Sequence, residues 1–398
     1  MNVIVIGGGV AGAASAIALR RLGLDVTVYE AYAEPAGRVG SFLSLAGNGL
    51  RVLRSLGVLE QVQRAGFAVP RQRMWSSSGK LLADVPRGRL GDDDLHSVTL
   101  MRGALVEALR AEAVAAGAIV VTGERLVDAV ATGSGVRAVF AGGRTARASL
   151  LVGADGLRST TRSLLDPHAP TPEYAGLYSI SGIAEDIPRD VTPGTTRGID
   201  LEPGAFNMTF ARNGAFIHLT APDGRVWWAA QVSSPTAPEL ALTDREWLGR
   251  LAGLHRHERI PTAILAATAE LHRPTLMHRL DAIPLRHNDR IALLGDAAHP
   301  VGAGQGASMA LEDALVLAQS LAAQPSPAAA LSAYDAARSH RVAKMVKSAS
   351  ANRDAKTAGP LARRIRDLVM PMAFPLFHAR ATSWLHTHDC GHLPQPTT

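Results

Sequence analysis

Two glycine-bearing runs at opposite ends of the chain have the residue types of an anion and polyol site. In the first, Gly7-Gly8-Gly9-Val10-Ala11-Gly12 follows the apolar run Val3-Ile4-Val5-Ile6. Gly7 permits a tight turn, Gly9, with Ala11 in the same turn, lets the backbone approach a pyrophosphate, and Gly12 lets the following helix pack closely on the strand. Glu30 stands eighteen positions after Gly12, where a carboxylate accepts hydrogen bonds from an adenosine ribose and repels a 2′-phosphate. FAD or NAD, rather than NADP, is therefore the expected resident dinucleotide. In the second run, Leu294-Gly295-Asp296-Ala297-Ala298-His299-Pro300 leads through Val301-Gly302-Ala303-Gly304-Gln305-Gly306 into an apolar helix over 307–321. Asp296 can accept hydrogen bonds from sugar hydroxyls, while the uncapped helix start after Gly302, Gly304, Gln305 and Gly306 favours negative charge. Together the runs predict one elongated dinucleotide held by both ends of the chain.

The elements that must position these residues are readable around them. The run from Val3 to Ile6 has the continuous apolar character of a buried parallel strand, and it is followed by a predicted helix over 10–22 and a strand over 24–29. Helices are expected over 48–56 and 102–116, closed by Gly57 and Gly117. Strands over 119–121, 126–131 and 136–140 form a smaller sheet with glycine turns. A strand over 149–152 then runs into Gly153-Ala154-Asp155-Gly156. Between 171 and 275 the texture becomes alternating and Pro/Gly-punctuated, with Pro222-Asp223-Gly224 as a hairpin turn. The expected fold is α/β: a Rossmann-like dinucleotide domain with a parallel sheet, a mixed β-sheet domain covering the ligand, and C-terminal helices. Its parts are residues 1–68, 97–170 and 276–340, then 69–96 and 171–275, then a helical segment 341–398.

Composition narrows the classes. The chain has 398 residues, 47% hydrophobic and 19% charged, which is ordinary globular usage. The formal charge of +6 comes from 41 Lys+Arg against 35 Asp+Glu, scattered rather than in a block, so nucleic acid is not an expected partner. Arg363, Arg364 and Arg366 are read as a solvated helix face. Cys390 stands alone, so neither an intrachain disulfide nor a cysteine-based metal site is expected. The uncharged N-terminus is broken by glycines and lacks a basic leader, which argues against a signal peptide or membrane span; a cytoplasmic location is expected.

The order Gly7-x-Gly9-x-x-Gly12, Gly153-Ala154-Asp155-Gly156-Leu157-Arg158-Ser159 and Gly295-Asp296-Ala297-Ala298-His299-Pro300 resembles that of single-component, FAD-dependent aromatic hydroxylases, the para-hydroxybenzoate hydroxylase-like flavoprotein monooxygenases. The resemblance runs along most of the chain and implies FAD as cofactor, NAD(P)H as transient co-substrate and O2 as oxidant, with a C4a-hydroperoxyflavin hydroxylating an apolar, electron-rich molecule. It further implies that Asp296 holds the ribityl chain, that Pro300 to Gly306 passes beside the isoalloxazine, and that the next helix aims its dipole at the end negative in reduced flavin. Asp155 matches the residue of the family's Asp-Gly segment that contacts FAD indirectly, although it could equally hold its own turn. Arg102 resembles the arginine that reaches flavin from a helix start. Arg38, in Gly37-Arg38-Val39-Gly40, matches a loop arginine near the flavin. His299 is expected in structural hydrogen bonding rather than as a base.

The substrate side is thinner. A phenol reacts faster as phenolate, so a positioned base would help; His218 and Tyr178 in the covering sheet are the candidates, with Pro300 beside the reacting edge. Trp227, Trp228 and Phe206 either line an apolar pocket or simply pack. No arginine stands out as a clamp for a substrate carboxylate. The same fold would serve an epoxidase, a Baeyer–Villiger oxygenase or an O2-independent flavin reductase, and a non-catalytic FAD-binding redox sensor is the reading from another class. Halogenation is disfavoured, because the Trp-x-Trp-x-Ile-Pro motif carried by flavin halogenases is absent.

Overall fold

A computed structural model describes residues 1–34, 41–89, 93–187, 201–301, 304–356 and 359–394. Arg38 and Gly302 lie outside the described residues. The chain opens with β1 (Asn2–Ile6), α1 (Val10–Arg21) and β2 (Asp25–Glu30). After β3 (Phe42–Leu45), α2 (Gly47–Ser55), α3 (Leu59–Ala65) and β4 (Phe67–Ala68) comes the hairpin β5 (Arg71–Ser76) and β6 (Leu81–Pro86). The chain returns through β7 (Val98–Met101), α4 (Arg102–Ala115) and β8 (Ile119–Thr122), makes a meander of β9 (Leu126–Thr132), β10 (Gly135–Phe140) and β11 (Thr145–Ala148), and continues as β12 (Leu150–Gly153) and α5 (Thr160–Leu165). Next come β13 (Glu173–Ala184), β14 (Ala205–Phe210), β15 (Gly214–Thr220), β16 (Val226–Ser233), α6 (Asp244–His255), α7 (Arg259–Ala266), β17 (Thr268–Leu271) and β18 (Thr275–Arg279). β19 (Ile291–Leu293) precedes α8 (Gly306–Ala323), α9 (Pro327–Lys356) and α10 (Pro360–His386).

Among the described residues the first sheet runs β19-β12-β1-β2-β8, with every pair parallel. Val3, Ile4, Val5 and Ile6 are all buried, as a strand covered on both faces requires. α1 is built of small residues and is buried from Val10 to Leu19, so it can lie close to the sheet while α4 and α8 pack against it. The closest approach is at Gly12, where a Cβ would fall 1.8 Å from the Gly7 carbonyl oxygen.

The second sheet runs β17-β13-β16-β15-β14-β5-β6, with β18 paired to β13. A small sheet β3-β7-β4 stands between the two. Two expected boundaries move. Thr275–Arg279 hydrogen-bonds to β13, so the covering sheet extends beyond 275; its Leu-Met-His sequence at an edge carries no clear alternation. The boundary expected at 340 falls inside α9, a continuous helix of 30 residues.

Strand parity divides the covering sheet into two faces. Tyr178, Ile180, Phe216, Trp228 and Ala230 face α6 and α7, packing on Trp247, Leu251, Ile264 and Leu265. Ile183, Phe206, Ile217, Leu219, Trp227 and Ala229 face the other way, toward Phe42, Phe67 and Met101 of the small sheet. The second face is the one turned to the dinucleotide domain.

Gly12→Ala should lower the stability of the FAD-free protein by about 3 kcal/mol or more in urea unfolding, because the clash is with backbone rather than a movable side chain. Gly9→Ala is the matched control: a Cβ there would meet nothing within 4 Å, and its unfolding curve should stay close to wild type.

Candidate functional site

The first glycine run ends β1 and starts α1, whose N-cap Gly9 offers no side-chain capping bond. The free N–H groups of that first turn therefore point at open space, as an anion site requires. Glu30 closes β2 beside them and is 8% exposed. One of its oxygens, Oε2, accepts from the Gly8 N–H at 2.8 Å and Arg110 Nη2 at 3.2 Å; the other, Oε1, accepts from the Tyr32 N–H at 3.0 Å. Since each carboxylate oxygen has two lone-pair sites, Oε1 retains capacity for a ribose hydroxyl. Arg110 also donates through Nε to the Gly8 carbonyl at 2.6 Å. It sits on α4, and sequence reading missed it; its only local signal is a position on the helix that begins at Arg102.

The second glycine run touches the first. A Cβ at Gly295 would lie 3.0 Å from the Ala11 Cβ and 3.4 Å from the Ala310 Cβ, so the two ends of the chain meet without intervening side chains. Asp296 is partly buried on the single 3-10 turn Gly295–Ala297. Its Oδ1 lies 3.6 Å from where a Gly306 Cβ would be, at the start of α8. Burial raises the Asp296 pKa, and the nearby charges of Arg102 and His299 pull it partly back. No protein group donates a hydrogen bond to the Asp296 carboxylate among the described residues. α8 begins without a side-chain cap at Gln305, whose Oε1 is buried and unpartnered, as is Ser308 Oγ. Such orphaned polar groups around an acid and a helix N-terminus are what a polyol chain and a polar ring edge would satisfy, so the residues present fit FAD.

Behind this loop lies a buried charge cluster. His299 Nε2 is 2.6 Å from Asp313 Oδ2, which also accepts from the Gly295 N–H at 2.8 Å. Arg338 donates to Asp313 Oδ1 and Glu312 Oε2, each at 2.7 Å, and Arg341 grips both Glu312 oxygens at 2.6 Å. Asn48 Nδ2 donates to Glu312 Oε1 at 2.8 Å. Burial opposes ionisation of Asp313, but the His299 and Arg338 charges and two hydrogen bonds outweigh it and hold its pKa down at about 2. Glu312 is lowered on the same balance, with burial opposed by the two arginines and Asn48. His299 is thereby engaged from below, as expected of a structural residue.

Asp155 is occupied locally. It accepts from Ser159 Oγ at 2.5 Å and from the Thr161 N–H and Oγ1 at 2.9 and 3.0 Å, so it ties the turn after β12 to the start of α5. Arg162, on that helix, donates to the Ala297 carbonyl at 3.0 Å, linking this turn to the Asp296 loop. Arg102 is the first residue of α4 and is exposed.

His218 and Tyr178 do not join the others. Tyr178 is fully buried, 5.9 Å from the Trp247 ring, on the face covered by α6 and α7. His218 pairs in register with Trp228 and shares its face with Phe216. The period-2 alternation of strands puts both on the side away from the dinucleotide domain, which corrects the expectation that either reaches substrate. Trp228 goes with them, stacked 5.5 Å from Phe216. Trp227 and Phe206 lie on the opposite, inner face; Trp227 is 5.1 Å from Phe67 and 6.0 Å from Phe42. Pro300 borders a cleft with Leu177, Met277 and Val346. Glu312, His388 and Cys390 bring ligand-type atoms within 4.8 Å of one another, yet Glu312 is already held by two arginines, and burial with the Glu312 charge pushes the Cys390 thiol up to about 12.

A family model described as an FAD binding domain matches residues 1–349. The chain belongs to this family of FAD-dependent aromatic hydroxylases. It is 31% identical over 350 residues, covering 86% of each chain, to aurachin C monooxygenase/isomerase of Stigmatella aurantiaca. It is 29% identical to 3-hydroxybenzoate 6-hydroxylase of Klebsiella oxytoca, covering 97% of this chain and 96% of that one. Klebsiella pneumoniae HpxO complexed with FAD and uric acid has the same fold, with a TM-score of 0.82 at 23% identity and 98% of both chains covered. The protein is a flavoprotein oxidoreductase with FAD as its cofactor. No described helix is long and apolar enough to cross a membrane.

Asp313 loses its proton near 3.8 in an unfolded chain and at about 2 in the folded one. Its ionisation therefore stabilises the fold above about pH 4, and that contribution is lost as pH falls toward 2. In denaturant unfolding over this range, Asp313→Asn should be less stable than wild type at neutral pH and show a shallower acid limb. An unchanged limb would remove Asp313 as the titrating group.

Proposed function

We propose that the protein is a monooxygenase that uses NAD(P)H and O2 to hydroxylate an apolar, electron-rich aromatic small molecule. The observation that carries this reading is the Asp296 carboxylate, which has no protein donor among the described residues and lies beside the uncapped start of α8. In this reading Gly7, Gly9, Ala11, Gly12 and Glu30 hold the pyrophosphate and adenosine end of FAD. Arg102, Gly295, Asp296, Gly304, Gln305 and Gly306 hold the flavin end, and Asp155 positions rather than touches it. Arg38 and Gly302 keep their proposed places near the flavin on sequence grounds alone. The bound FAD supplies electron transfer and oxygen activation.

The protein's own contribution is binding, orientation and electrostatics. The α8 N-terminus favours negative charge at the ring edge nearest it. Trp227, Phe206, Ile217 and Leu219 form an apolar wall that keeps water from the reacting face, and Pro300 borders a cleft between β13, β18 and α9. The glycine fingerprint occurs once, at β1, so the nicotinamide is read as a visitor rather than a resident. The names of the relatives support oxygenation of an aromatic ring, and His218 and Tyr178 face away from the side on which it is read to occur.

Two measurements test the reading. The purified protein should be yellow, and an aromatic substrate should stimulate NAD(P)H oxidation with an oxygenated product visible by mass spectrometry; turnover that persists without O2 would identify a reductase instead. Asp296→Ala should weaken FAD binding by about tenfold or more, the scale of a lost hydrogen bond to a charged acceptor. Purification of that variant with a full complement of flavin would remove Asp296 from the ribityl role.

A further inference from the structure

Met370 and Phe374 seat α10 against β5, β6 and β14, where they pack with Met74, Leu82 and Phe210. Arg366 closes the same side, its guanidinium 3.9 Å from the centroid of the Phe210 ring, and Arg363 donates to the Arg212 carbonyl at 2.6 Å. Two residues turn a helix by about 200°, so Met372 and Leu376, on either side of Phe374 in sequence, stand away from the sheet. Ile365, Leu368, Val369, Met372, Leu376 and Phe377 are each between 46% and 76% exposed. The first five recur at i, i+3, i+4, i+7 and i+11, the spacing of a single helix face. Phe377 flanks them. α10 is therefore apolar on two opposite sides, and the protein covers one. A lone exposed apolar side chain needs no explanation, whereas a contiguous row marks a surface that meets something.

Charge says what that something is. Arg364 precedes the stripe and Arg380 follows it, both exposed and about 24 Å apart along the helix axis. The one acid of α10, Asp367, is held by Arg366 Nη2 at 2.8 Å, and the exposed Lys80 brings its Nζ to 3.5 Å from the Asp367 carbonyl oxygen. The stripe is thus bordered by cations. A second copy is a poor occupant, because a two-fold contact pairs the same patch with itself: antiparallel helices centred on Met372 would set Arg364 against Arg380, and parallel ones would set each arginine against its twin. A small ligand is no better served, since a convex helix ridge encloses nothing. An anionic bilayer surface answers both features, with acyl chains for the stripe and phosphates for the arginines. The formal charge of +6 acts in the same direction. No described helix is able to cross a membrane, so α10 would lie in the interface rather than span it.

We propose that the outer face of α10 is a docking surface for an anionic lipid membrane. Ile365, Leu368, Val369, Met372, Leu376 and Phe377 enter the headgroup boundary, and Arg364 and Arg380 pair with lipid phosphates at either end. The surface is separate from the flavin site, and the proposal stands independently of the reaction read there.

The test uses full-length, FAD-loaded protein and vesicles of two compositions, phosphatidylcholine alone and phosphatidylcholine mixed with phosphatidylglycerol, with bound protein recovered by sedimentation. Wild type should bind the mixed vesicles about tenfold or more tightly than the neutral ones, the scale of two arginines at an anionic surface. High salt should erase most of that difference. Leu368→Ser combined with Leu376→Ser should release the protein from the vesicles while flavin content and thermal unfolding stay as in wild type, because both side chains are already in water. Arg364→Gln combined with Arg380→Gln should bring binding to the mixed vesicles down toward the neutral level. Wild type that stays in the supernatant, equal binding to the two compositions, or undiminished binding of the serine variant overturns the proposal. So does light scattering that finds a wild-type dimer split to monomers by the two serines, since a second copy would then cover the stripe.

Discussion

The buried cluster of Glu312, Asp313, Arg338, Arg341 and His299 is the constraint on which the rest of the site depends. Two adjacent acids on α8 project to two arginines of α9 and to the histidine of the Asp296 loop. Each carboxylate is nearly or wholly enclosed, so neither could remain ionised without these partners, and removing one partner of such a pair costs on the order of 3–5 kcal/mol. The consequence is positional. Asp313 holds both the Gly295 N–H and the His299 ring, which sets where Asp296 and the start of α8 stand relative to each other.

That anchoring explains how a site assembled from both ends of a long chain can be precise. α1 and α8 pack broadly against each other, and Gly295 of the Asp296 loop fits between Ala11 and Ala310. Charge pairing on α8 holds that loop through Asp313, and Arg162 adds a second tie from the Asp155 turn to the Ala297 carbonyl. Glu30 plays a comparable part at the other end, where it holds the glycine loop through Gly8 and Arg110 as well as facing the ligand space. Acids expected from sequence to serve a cofactor also serve the scaffold that presents them.

The covering sheet follows a different logic. Its two faces are both apolar, so hydrophobicity does not distinguish the one that packs on α6 and α7 from the one that meets the dinucleotide domain. Trp227 and Trp228 are adjacent in sequence and end on opposite faces. Parity within β15 and β16 places His218 and Trp228 together on the helix-covered side, and no feature of the local sequence announces which parity faces inward.

Much of the dinucleotide end was legible in the chain itself. A buried parallel strand, a turn that tolerates no side chain, and an acid at the next strand's end are local backbone requirements, and Gly7, Gly12 and Glu30 state them directly. The turn that carries Asp296 and the uncapped start of α8 were legible for the same reason. What only the tertiary structure decided is everything that depends on pairing across sequence distance. Arg110 beside Glu30, Arg338 and Arg341 beneath α8, the attachment of Thr275–Arg279 to β13, and the outward aspect of His218 and Tyr178 all belong to this class. A side chain's type is written locally, whereas its partner is chosen by strand register and helix packing, and a shift of one residue along a strand reverses the choice.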